Sequence, residues 1–293
     1  MQTLEALQRD INAATDLQSI VRTMKVLAAV SIRQYERALE SLTDYNRTVE
    51  MGLQVVLHNH QTTAACLHQN QLPWTGAIVF GSDHGLCGRY NESIAAFALE
   101  KLDKIEHDRQ NRRILAVGAR VDAALRERGQ NVEETFFVPG SVAGITATVQ
   151  KMLLQIDNWQ VEGVERVLLF HNAHQQRTTY SAQLKKLLPL DLCRFNHTHT
   201  KPWPSKSLPL FTMASEKLLS ALIRQHLFIV LYSACAESLA GEHASRLVSM
   251  QVAEKNIKER LESLTATFRQ QRQNQITEEL LDVVSGFEAL EGK

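Results

Sequence analysis

From Phe211 to the end of the chain, apolar positions recur at helical intervals and no proline interrupts them. The last proline is Pro209, and proline is what most reliably ends a helix. Within this run His243, Leu247, Met250, Glu254, Ile257, Leu261, Leu264 and Phe268 are spaced by alternating fours and threes. That alternation is a heptad seam, the pattern of a coiled coil. It predicts a helix from about Ser215 to about Leu290, roughly 110 Å long at ~1.5 Å per residue. A globular core needs no such length. The simpler competitor is a string of amphipathic helices broken near Gly241.

The first 58 or so residues show the same grammar. Leu7, Ala14, Val21, Ala28, Tyr35, Leu42 and Val49 recur every seven residues, with Leu4, Ile11, Met24, Ile32 and Leu39 supplying much of the companion row. A repeat sustained this long predicts a second coiled-coil helix. The economical partner is the C-terminal helix of the same chain, in antiparallel array; the alternative is a second copy.

Between about 70 and 205 the period changes. GAIVF (Gly76 to Phe80), RILAVG (Arg113 to Gly118), ETFFV (Glu134 to Val138) and RVLLF (Arg166 to Phe170) are short apolar runs that predict buried strands. Helical patterns lie between them near Asn91 to Ile105, Arg120 to Arg128 and Gly144 to Ile156. Such alternation predicts a mostly parallel, Rossmann-like sheet with helices on its faces. TTYSAQLKKLLPL is a candidate final strand. Asn196 to Pro209, with three prolines, predicts an extended linker. The expected fold class is therefore α/β plus a long antiparallel coiled coil. Its domains are an N-terminal helix over 1–60, an α/β insert over 70–205 and a C-terminal helix over 211–293.

Composition narrows the chemistry. Lys plus Arg equals Asp plus Glu at 32 each, so no general basic field invites nucleic acid or anionic lipid. The four cysteines, Cys66, Cys87, Cys193 and Cys235, lie far apart, which argues against a zinc site and suits free thiols in a reducing compartment. No uninterrupted apolar run reaches membrane-spanning length, and the opening MQTLEALQRDI is charged and helical in pattern, unlike a signal peptide.

Few motifs carry chemistry. Gly81 to Asn91, GSDHGLCGRYN, follows a predicted strand and precedes a helix, where glycines can present N–H groups to a phosphate. Its spacing is not GxGxxG, and no GxxxxGK[ST] or GxSxG occurs. A tight surface turn is the simpler reading, for Asp83 and His84 as well. The pairs His58/His60 and His197/His199 are two apart without a supporting ligand cluster and read as solvated. Arg269 to Gln275, RQQRQNQ, holds no apolar side chain and interrupts the seam before Ile276, Leu280, Leu281, Val284 and Phe287 resume it. A stretch polar all round is either solvated or enclosed by polar partners.

Three regions together carry a family resemblance. Gly241 to Leu290, with its RQ element, then IT, then E and a short hydrophobic tail, is similar to the C-terminal signature of F-type ATP synthase gamma subunits. SDHGLCGRYN matches that family's GLCG loop. Ile11 to Arg33 resembles its N-terminal helix in Ile11, Ile20, Met24, Ala28, Ala29 and Arg33. The likeness runs the length of the chain in the same order.

The resemblance implies a rotor shaft that couples ion flow through a membrane c ring to ATP synthesis or hydrolysis in a ring of alpha and beta subunits. It implies that Arg272, Gln273 and Thr277, with Met24, meet the beta-subunit catch. It places Gly85, Leu86, Cys87 and Gly88 in a foot loop near the c ring and the epsilon subunit. It implies no catalytic residue in this chain, no cofactor and no metal, and a bacterial-type F1 location on the cytoplasmic face of the plasma membrane. Gln18, Ser19, Val30, Arg269 and the VAEKN stretch depart from the family's habits, and the neutral net charge does too. Two other readings stay open: a nucleotide-binding enzyme on the α/β insert, and a non-rotary coiled-coil scaffold.

Overall fold

A computed structural model describes residues 3–59, 74–174, 180–190 and 211–291. His60, His197, His199, Cys66, Cys193 and the proline-rich linker lie outside the described residues, as does the side chain of His58. Backbone packing divides the chain into two compact units, Met1–Ala28 with Leu247–Lys293, and Ala29–Arg246. Helix α1 spans Leu4–Asn59. Strand β1 (Thr75–Phe80), α2 (Tyr90–Ile105), β2 (Arg112–Val117), α3 (Ala119–Glu127), β3 (Val132–Phe136), α4 (Val142–Val161), β4 (Arg166–His174) and β5 (Tyr180–Leu188) follow in order. Helix α5 spans Ser215–Glu291, 77 residues without a break at Gly241.

Within the unit Ala29–Arg246 the five strands form one sheet in the order β3-β2-β1-β4-β5. β1 pairs parallel with β2 and β4, and β2 with β3; β5 runs antiparallel to β4. The all-apolar run of β1 follows from burial on both faces, since side chains alternate along a strand. Ile78 and Phe80 enter a core built with Val149, Met152 and Trp159 of α4 and Leu231, Cys235 and Leu239 of α5. Ala77 and Val79 enter the opposite core with Ile94, Ala98 and Leu102 of α2 and Val121 and Leu125 of α3.

Two strands depart from the expected bounds. β3 starts at Val132 and stops at Phe136, two residues early. Phe137 is 77% exposed, and the Val138 N–H donates to Asp83 instead of to a neighbouring strand. β4 continues to His174 because the antiparallel β5 supplies a longer ladder than the parallel strands do.

Part of α5 is, by length and composition, apolar enough to cross a membrane, although no uninterrupted apolar run in the sequence suggested it. Its Leu227, Leu231, Ala234 and Leu239 pack in the sheet core. At Gly241 that helix comes close to the sheet. A Cβ there would lie 3.1 Å from the Asn172 carbonyl oxygen, so a helix-weakening residue is kept where two backbones meet. In this unit α1 and α5 are antiparallel: Gly52 lies against Leu222, and Tyr35 stacks on His243 at 5.8 Å.

In the unit Met1–Ala28 with Leu247–Lys293, the predicted seam is what withdraws from solvent. Met250 and Leu264 are buried, and Leu247, Glu254, Ile257, Leu261 and Phe268 are half-buried. On α1, Leu7, Val21 and Ala28 are buried, with Leu4, Ile11, Ala14 and Met24 half-buried. The one acid in the seam has partners: Glu254 accepts from Arg22 at 2.9 Å and Lys25 at 2.5 Å.

Candidate functional site

The glycine-containing loop between β1 and α2 is tied down residue by residue. Gly81 N–H donates to the Val117 carbonyl at 2.8 Å, and Ser82 N–H to Asn91 Oδ1 at 2.9 Å. Asp83, read above as part of a surface turn, is a brace: Oδ1 accepts from Ala119 N–H at 2.9 Å and Oδ2 from Val138 N–H at 2.8 Å. One carboxylate thus joins the loop to the start of α3 and the segment just past β3, at a helix N-terminus where negative charge is favoured.

Past this brace the chain turns outward. Leu86 and Gly88 have φ of 63° and 59°. Positive φ is routine for glycine but rare for leucine, and Leu86 is also 62% exposed. Cys87 beside it is buried, with its thiol near Ser82 Oγ (3.6 Å) and the His84 carbonyl (3.7 Å). Burial pushes the Cys87 thiol up from its ordinary value.

Helix α5 holds the loop from behind. Ser245 Oγ donates to the Cys87 carbonyl at 2.5 Å. Arg246 Nη2 donates to the Gly85 carbonyl at 3.3 Å and to Glu242 Oε1 at 2.7 Å, with the His84 carbonyl at 3.5 Å. Burial raises the Glu242 carboxyl against the pull of Arg246. Next to it, burial and then the Arg246 charge push His243 down to about 4, which leaves it neutral for its stack on Tyr35. Tyr90, at the head of α2, is wholly buried and its hydroxyl donates to the Ser238 carbonyl at 2.6 Å.

A second lock lies along α5. His171 Nε2 meets Glu237 Oε2 at 2.7 Å, and Lys185 approaches the same oxygen at 3.3 Å. Burial pushes His171 down, against the pull of Glu237. Burial raises Glu237, but the bonds from His171 and Lys185 outweigh it and hold the carboxyl low. Both directions describe one state: a neutral histidine donating to an ionised glutamate.

The helical residues singled out in the sequence lie elsewhere. Arg272, Gln273 and Thr277 are exposed on α5, and the Thr277 hydroxyl donates to the Gln273 carbonyl one turn back. Met24 is half-buried in the companion row of α1. Beyond Gln273 the resumed apolar positions Ile276, Leu280, Leu281 and Val284 are all exposed. Gly85, Leu86, Cys87 and Gly88 cluster in the braced loop. Sequence reasoning missed Glu242, Ser245 and Arg246. Their signal was a polar GEHASR patch, Gly241 to Arg246, set in an otherwise apolar stretch of helix.

The fold and this site define a class: two long terminal helices paired along a heptad seam, with an α/β sheet fold between them in sequence. Residues 3–290 match the family model for ATP synthase, and the chain belongs to that family. It is similar to the ATP synthase gamma chains of Bdellovibrio bacteriovorus, at 27% identity over all of both chains, and of a Nitratiruptor species, at 24% over 99% of this chain and 100% of that one. Its fold resembles a chain of the Euglena gracilis mitochondrial ATP synthase rotor in rotational state 1, with a TM-score of 0.64, 15% identity and coverage of 93% of this chain and 98% of that one. A chain of the Euglena OSCP/F1/c-ring structure in rotational state 3 gives 0.66, 16%, and coverage of 98% and 94%.

Proposed function

We infer that this chain works as the rotary central-stalk subunit of an ATP synthase. The match of an ATP synthase family model to residues 3–290 carries that reading. The paired terminal helices support it, because a rotating element needs a stiff axis that ordinary globular packing does not supply. The chain is a peripheral, membrane-associated F1-sector subunit, and the bacterial gamma chains among its relatives favour the cytoplasmic face of a bacterial plasma membrane. Its work is binding-energy coupling: unequal contacts with neighbouring catalytic subunits shift their site equilibria as it turns.

Finer assignments belong to the same proposal. Segments 1–60 and 211–293 act as the shaft, and 70–205 as the foot. Arg272, Gln273 and Thr277, with Met24, meet the beta-subunit catch, where guanidinium and amide groups give directional hydrogen bonds. The exposure of Arg272, Gln273 and Thr277 in this chain suits that role. Gly85 to Gly88 meet the c ring and the epsilon subunit, and the outward Leu86 is the residue we assign to that contact.

The test is a double substitution, Arg272→Ala with Gln273→Ala, in the assembled complex. Expected is a loss of ATP-driven ion pumping relative to ATP hydrolysis, of about tenfold if two net hydrogen bonds are removed. Pumping at the parent ratio with both side chains gone overturns the catch assignment.

A further inference from the structure

We propose that Glu242, Ser245 and Arg246 form a clamp that makes the Gly81–Asn91 loop and helix α5 one mechanical body, and that these three are positioning residues for coupling. The proposal rests on the reading of that loop as a contact with other rotor subunits.

Geometry carries it. A loop that passes force must not swing, and a backbone fixed only at its ends would. Here Ser82 and Asp83 fix one side to α2, α3 and the segment just past β3, while the far side projects Leu86 outward. The carbonyls around that projection, from His84, Gly85 and Cys87, all point at one helical turn of α5. Turn and carbonyls are a matched set. Arg246 supplies one terminal nitrogen, Nη2, that reaches both the His84 and Gly85 carbonyls, Ser245 supplies the hydroxyl for the third, and Glu242, one turn back, accepts from that same nitrogen.

Burial separates this set from a chance surface contact. Glu242, Ser245 and Arg246 are only 5%, 7% and 8% exposed. Charged groups are seldom buried so fully unless paired. Glu242 Oε2 nonetheless has no hydrogen-bond partner among the described residues. A carboxylate kept half-satisfied in the interior is poor value for stability alone, and apolar residues could pack the turn instead. Its observed use is to hold Arg246 against the loop. The Asp83 charge, the His84 and His243 rings, and the Cys87 thiol surround the pair, so the clamp sits among several polar groups. The φ of Leu86 needs the same support. A leucine at 63° relaxes unless neighbouring contacts over-determine it.

Cys87 is a built-in reporter, because its thiol is buried while its carbonyl is one of the clamped groups. The test uses the full chain carrying Ser245→Ala, Ser245→Thr, Glu242→Gln or Arg246→Gln. Each is treated with N-ethylmaleimide under native conditions, and the alkylated cysteines are located by mass spectrometry. Losing one net hydrogen bond should raise Cys87 alkylation about five- to tenfold in Ser245→Ala and at least as much in Arg246→Gln. Ser245→Thr should return it to the parent rate. The wholly buried Cys235 should stay unreacted throughout, which separates loop opening from unfolding; if Arg246→Gln exposes both thiols, the milder serine pair decides. Unchanged Cys87 reactivity in Ser245→Ala overturns the clamp.

The same variants in the assembled complex give the second readout. Expected is reduced ion pumping per ATP hydrolysed, with hydrolysis itself retained. A loosened loop with an unchanged pumping ratio overturns the coupling role and tells against the loop contact, whatever the catch substitutions show.

Discussion

Gly81 has no room for a side chain. A Cβ there would stand 2.3 Å from Val121 Cβ and 2.7 Å from Asn91 Oδ1, closer than packed atoms come. Asn91 is itself the acceptor for Ser82 N–H, so the clash falls on a group the loop depends on. Gly81→Ala should destabilise the fold by about 2–3 kcal/mol, as overpacking does; the urea midpoint measures it. His243 makes a second prediction at this scale. Its folded value of about 4 lies below the ordinary 6.5, so the folded protein binds fewer protons between those limits. The stability it contributes is complete above about 6.5 and is lost as pH falls toward 4. A shift of that size amounts to about 3 kcal/mol. His243→Phe keeps the stack on Tyr35 without a titrating group, and so should flatten that part of the stability–pH curve. Glu242, whose carboxyl is raised, works in the opposite sense. The difference between variant and parent therefore isolates the histidine, and denaturant titrations at pH 7 and 4.5 check it.

At the scale of elements, the heptads were the most legible part of the chain. Apolar periodicity marked α1 and α5 to within a few residues, since each helix has a long stretch with one face packed and the other wet. The alternating grammar likewise placed every parallel strand. The end of β3 was misread because Phe137 and Val138 are apolar but serve no ladder; only the Asp83 brace, distant in sequence, explains the stop. Asp83 looks like a surface-turn residue in sequence for the same reason: its partners lie 36 and 55 positions away. The clamp was hidden likewise, because polar residues on a helix read as a solvated face until the element they touch is known. Gly241 was expected as a possible break, and it is instead a place where helix and strand backbones come close. Gly241→Val should cost about 1–3 kcal/mol, because the branched side chain must push α5 off the Asn172 carbonyl. Thermal melting of the full chain, with the α2-bound Tyr90–Ser238 contact as a local probe, measures it.

At the scale of the whole molecule, the described chain separates two kinds of surface. The turn around Arg246 is committed to contacts inside the chain. The apolar side chains of Ile276, Leu280, Leu281, Val283 and Val284 are instead exposed. Single exposed leucines are ordinary, but a run of five large apolar side chains on one helix end signals a surface meant to be covered. Leu280→Glu with Val284→Glu should leave the melting temperature of the isolated chain nearly unchanged, since neither residue is buried there. It should sharply lower the chain's incorporation into the complex, which co-purification of the catalytic subunits reads out.

The same bare valines and leucines set a condition on biosynthesis. Until a partner covers them, the newly made polypeptide carries a sticky stretch that invites aggregation. Its yield on expression alone should therefore fall as concentration rises, and supplying the other subunits of the complex at the same time should rescue it.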